Sequence, residues 1–124
     1  MSLKDLRREQ QEATNFLNQV ERAARDALKI NETLGVWRIP MVHKHATSGN
    51  WDELDTVVVG PIDGDEQTLR PAMWFLTVFV RGGSPEVEFE DPNNGNMHSS
   101  TGGSFDSALT SVRGHLGVLA VYRW

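Results

Sequence analysis

The 124-residue chain contains no cysteine, which excludes disulfides, thiolate metal sites and cysteine nucleophiles at once. It has no run of about 18 apolar residues and no charged start leading into an apolar segment, so neither a membrane span nor a secretory leader is expected. These absences predict a soluble, cytoplasmic protein with no membrane partner.

Several signatures of chemistry are missing as well. There is no Gly-x-Ser-x-Gly elbow, and the run 99–104 (S-S-T-G-G-S) lacks the Gly-Lys-Ser/Thr ending of a phosphate-binding loop. That run reads as a linker with a helix cap. Asp63-Gly64-Asp65-Glu66 and Asp91-x-Asn93-Asn94 start like calcium loops, but neither reaches the glycine and terminal glutamate of an EF-hand. Both read as solvated turns, and no cofactor is expected.

The net charge of -5 is unevenly placed. Residues 1–32 balance Lys4, Arg7, Arg8, Arg22, Arg25 and Lys29 against Asp5, Glu9, Glu12, Glu21, Asp26 and Glu32, so all the excess acidity follows residue 32. Clusters at Asp52, Glu53 and Asp55, at Asp63, Asp65 and Glu66, and at Glu86, Glu88, Glu90 and Asp91 would repel a phosphate backbone. No basic patch with interleaved aromatics offsets them, so nucleic acid is not an expected partner.

What the sequence does contain is one stretch, 72–81 (A-M-W-F-L-T-V-F-V-R), that is apolar on both alternating faces. Met73, Phe75 and Phe79 fall on one face, and Trp74, Leu76, Val78 and Val80 on the other. A strand of this kind needs cover on both sides, which predicts the centre of a sheet. The rest of the chain reads as its cover.

Residues 1–31 read as one long helix. Ser2 with Asp5 makes a capping pattern, no Gly or Pro interrupts, and the apolar positions recur at spacings of three and four. At about 1.5 Å per residue such a helix runs to about 40 Å, against about 17–20 Å for a typical strand. Part of its stripe should therefore overhang its own sheet. The stripe fits packing on the chain's own sheet with its first turns merely solvated or frayed; the sharper expectation makes Leu6, Ala13, Leu17, Val20, Ala24 and Ala27 an interface, where the small residues Ala13, Ala23, Ala24 and Ala27 admit a second helix closely. The expected partner is a second copy, giving a homodimer, or another protein.

Strands are expected at 36–45, where Pro40 makes an edge strand, at 54–59, and at 72–81. A tight R-G-G-S-P turn then leads to 86–90, whose alternation of Val87 and Phe89 with Glu86, Glu88 and Glu90 reads as an exposed edge guarded by charge. Residues 91–104 read as a flexible loop, 105–112 as a short helix ended by Gly114, and 116–124 as a last strand. The predicted fold is one α+β domain over 1–124. Its long N-terminal helix packs on an antiparallel sheet of about five strands, and a short second helix precedes the C-terminal strand.

One recurring pattern bears on catalysis. His45-Ala46-Thr47 and His98-Ser99-Ser100 resemble the paired His-x-Thr/Ser signature of two-histidine phosphoesterases. That resemblance implies an acid and a base at His45 and His98, and a phosphate held by Thr47 and Ser100. The family sets each motif in an apolar strand, whereas His98 lies in a Gly/Asn/Ser stretch. His43 and His45, two apart on one strand, could ligate a metal with His98. They also fit as ordinary edge-strand residues beside Trp37 and Met41, and no metal site is expected. With no convincing catalytic set, the chain reads as a small acidic binding or assembly and accessory protein rather than an enzyme.

Overall fold

Apolar residues spaced three and four apart build a helix at each end of the chain, and two-residue alternation builds most of the strands between them. A computed structural model describes residues 3–44, 49–62, 75–90, 97–101 and 103–121. The first helix, α1 (Leu3–Ala27), closes with a single 3-10 turn over Leu28–Ile30. Phe16, Leu17, Val20, Ala24 and Leu28 form its buried stripe. Its other side is solvated, with ion pairs from Glu21 to Arg25 and from Asp26 to Lys29.

Five antiparallel strands follow in simple neighbour order: β1 (Leu34–Lys44), β2 (Trp51–Pro61), β3 (Leu76–Arg81), β4 (Ser84–Glu90) and β5 (Met97–Thr101). β3 is the middle strand, the place its two apolar faces require. β1 is an edge strand, where the missing N–H of Pro40 does least harm to the ladder. Between Arg81 and Ser84, which pair across the hairpin, Gly82 and Gly83 both take positive φ (57° and 81°). Two such residues turn the chain with the twist the strands need, at a backbone conformation that side chains resist.

The sheet departs from the sequence reading in three places. Four of the five expected strands are present, but 116–124 is not the fifth. Leu116 to Val121 instead extends the second helix, α2 (Phe105–Val121), and 122–124 lie outside the described residues. The three-and-four spacing of Phe105, Leu109, Val112, Leu116 and Leu119 outweighs the alternation at Val118 and Ala120, and burial follows it. Leu116 and Leu119 are buried, whereas Val118 is 52% exposed. Gly114 sits on the exposed side of α2 and does not end it.

The second departure is β5. Residues 97–101 pair in full register with β4, from Glu90 opposite Met97 to Glu86 opposite Thr101, inside what reads from sequence as a flexible loop. A strand of M-H-S-S-T has no apolar alternation to announce it; backbone hydrogen bonds to a neighbour are enough. The third departure follows from the second. β4 is not an exposed edge, because β5 covers it, and Glu86, Glu88 and Glu90 are half-buried.

Both helices pack on one face of the sheet. Val57, Val59, Leu76, Val78, Val87 and Phe89 meet the α1 stripe and Ala108, Leu109, Val112, Leu116 and Leu119 of α2. Phe16 and Phe105 lock the two helices together, ring centroids 5.0 Å apart, and the His115 ring of α2 stacks on Phe89 at 4.4 Å. Ser104 caps α2, its Oγ accepting from the Ser107 N–H at 3.1 Å, which satisfies one of the helix's free donors. The opposite face carries Trp37, Ile39 and Met41 packed on Val58, with Thr56, Thr77 and Phe79 also buried.

Candidate functional site

The apolar stripe of α1 serves two different ends of the helix differently. From Phe16 onward it is used inside the chain: Leu17, Val20 and Ala24 are 4%, 0% and 0% exposed, and the helix that Ala24 admits is the chain's own α2. Those three expected interface residues are therefore occupied by the intramolecular core. Ala27 is half-buried beside the same core. From Leu3 to Asn15 no described side chain is buried; Ala13 alone is half-buried, and Leu3 is 66% exposed. The side chain of Leu6 lies outside the described set.

The helix passes the end of the sheet at the β3–β4 turn, where a Cβ placed on Gly83 would stand 3.9 Å from the carboxyl carbon of Glu9. The turns before Glu9 project past it. On the packed half of α1, Glu21 pairs with Arg25 and Arg38, and Asp26 with Lys29. Arg38 adds hydrogen bonds to Asn18 at 2.9 Å and Asp55 at 3.0 Å, tying α1 to β1 and β2. Among the described residues no ion pair engages Arg7, Arg8, Glu9 or Glu12.

A second polar cluster lies on the sheet face away from the helices. Arg81 of β3 reaches Asp52 of β2 (Nε to Oδ2, 3.3 Å) and Glu86 of β4 (Nη1 to Oε2, 3.1 Å), with its guanidinium 5.4 Å from the centroid of the Phe79 ring. Glu88 stands next along β4. Burial raises its carboxyl above the ordinary value, the Glu86 carboxylate raises it further, and Arg81 offsets part of the rise. This strip holds a cation of β3 between carboxylates of the two flanking strands, beside a half-buried acid, but among the described residues no three His, Asp or Glu side chains are placed to share a metal ion.

The histidine motifs are only partly within view. His45 and Thr47 lie outside the described residues. His98 and Ser100 occupy β5, paired with Phe89 and Val87, and His43 occupies β1, paired with Asp52. β1 and β5 are the two edges of the sheet, and four inter-strand steps at about 4.8 Å separate them by about 19 Å. The described backbone thus sets His43 and His98 on opposite edges.

Compared with known protein families, curated proteins and solved structures, the chain gives no match. Sequence reasoning placed the overhang of α1 but missed the Arg81 strip, reading its glutamates as solvated. The available signal was Arg81 itself, a charge ending an otherwise apolar central strand.

Proposed function

We propose that the chain is a small acidic binding or assembly module that acts through self-association or docking of a protein partner on the exposed first half of α1. One observation carries this reading. Thirteen residues, Leu3–Asn15, are helical yet have no buried side chain among those described. The packed second half nucleates this helix, so the first half needs only to propagate, but exposed terminal turns without packing fray readily. A helix kept regular well beyond its own core, with Leu3 open on its stripe, is supported best by a partner surface that completes it.

The test compares wild type with Leu3→Glu by sedimentation velocity over a wide concentration range, and by recovery of partners from the native source. Loss of association or of a specific partner in Leu3→Glu, with unchanged circular dichroism, is the expected result. A chain that stays monomeric throughout and recovers the same proteins with or without the substitution would overturn the reading.

A further inference from the structure

The exposed first half of α1 sorts its charge by position. Lys4, Arg7 and Arg8 against Asp5 leave two net positive charges over 3–8, and Glu9 and Glu12 leave two negative charges over 9–15. Arg7, Arg8, Glu9 and Glu12 take no ion pair among the described residues, whereas Glu21, Arg25 and Asp26 on the packed half are paired within the chain. A segment with equal and opposite halves is complementary to itself when reversed. Two copies laid antiparallel bring the basic half of one onto the acidic half of the other, and a two-fold axis makes both contacts identical. Laid parallel, the same segments would set like charge on like.

From these facts we infer that the occupant of the exposed first half of α1 is a second copy of this chain, paired antiparallel about a two-fold axis near residue 8. This rests on the proposed function and names its partner. The seam Leu3, Leu6, Gln10 and Ala13 has the three-four spacing of helix pairing. Reversal sets the exposed Leu3 beside the partner's Ala13, large against small, which lets the axes approach. The segment is neutral overall and carries no aromatic residue, so neither an anionic membrane surface nor a partner of one charge sign matches it as well. The paired stretch is short, so the dimer belongs at the weak, concentration-dependent end of specific interfaces.

The experiment uses sedimentation equilibrium of the full chain. Arg7→Glu with Arg8→Glu makes both halves acidic, so antiparallel dimerisation should weaken about tenfold or more, a change of about 1.4 kcal/mol. Adding Glu9→Arg and Glu12→Arg to that chain restores opposite halves in swapped order, and dimerisation should return. All four residues are exposed, and recovery in the fourfold variant excludes a folding defect in the double one. Dimerisation unchanged by the double variant, or lost in both, would overturn antiparallel pairing while leaving association through α1 to the Leu3→Glu test. A wild-type monomer at high micromolar concentration would also overturn it; a partner lost specifically in Leu3→Glu would then preserve the wider reading.

Discussion

The side-chain amide of Asn31 donates to the backbone carbonyl of Leu119 at 3.1 Å, joining helix ends 88 residues apart in sequence. The same side chain accepts from the Thr33 N–H at 3.1 Å and from Thr33 Oγ1 at 2.6 Å. Leu119 lies in the last turn of α2, where carbonyls have no helical partner, and Asn31 is the buried polar residue that supplies one. Asn31 thus shapes the exit of α1 and fixes the end of α2 against it.

Removing that amide leaves a buried carbonyl without its donor. Asn31→Ala should lower the unfolding free energy by about 2 kcal/mol, the cost of an unsatisfied buried group plus the lost turn. Urea unfolding measures it. A change within error of zero would mean that water replaces the amide and that the two helix ends are not joined through it.

Gly114 and Gly117 test the length of α2 directly. Both lie inside the helix with ordinary φ, and a Cβ at either meets no atom within 4 Å outside the helix itself. Gly114→Ala and Gly117→Ala should each stabilise the protein by up to about 1 kcal/mol, because alanine loses less backbone entropy in a helix interior. Had Gly114 ended the helix in a left-handed conformation, the alanine would destabilise instead, so the sign of the thermal shift decides.

Arg81 holds three strands by charge. With a side chain only 16% exposed, it is the cation between Asp52 and Glu86. Arg81→Leu should cost about 2–3 kcal/mol at neutral pH, less than the loss of a fully buried partner because Asp52 is partly solvated. Arg81→Lys should recover only part, since an ammonium cannot reach both carboxylates as a fork does. No recovery at all in Arg81→Lys would assign the loss to packing on Phe79.

Glu88 gives a pH dependence of defined sign. Its folded value is raised, by burial first and Glu86 second, so the folded chain holds this proton more tightly than the unfolded chain does. The stabilising contribution is complete below the ordinary glutamate range and is lost as pH rises through the raised folded value. Glu88→Gln should therefore match wild type in acid and become the more stable protein as pH rises through that window. Equal slopes of unfolding free energy against pH for the two proteins would show that the carboxyl is solvated.

Of the paired motifs at His45 and His98, only His98 lies among the described residues, on β5 at the opposite edge of the sheet from His43 on β1. The glutamates of β4 show where sequence and structure part. Alternation with Val87 and Phe89 located their face correctly, yet read as solvated, because their burial depends on β3 and β5 on either side.

By itself the sequence determined the elements whose signal is local: the overhanging helix of Leu3–Ala27, the central place of β3, the edge place of β1 and the two-glycine hairpin. Each follows from spacing, side-chain shape or backbone freedom within a few residues. Tertiary structure decided the rest: β5 from a polar stretch, α2 running through two glycines, the half-burial of Glu86, Glu88 and Glu90, and the bond from Asn31 to Leu119. Those features are set by what lies opposite in space. A strand without apolar alternation forms when a ladder waits beside it, and a helix outlasts its glycines when Leu116 and Leu119 have a core to enter.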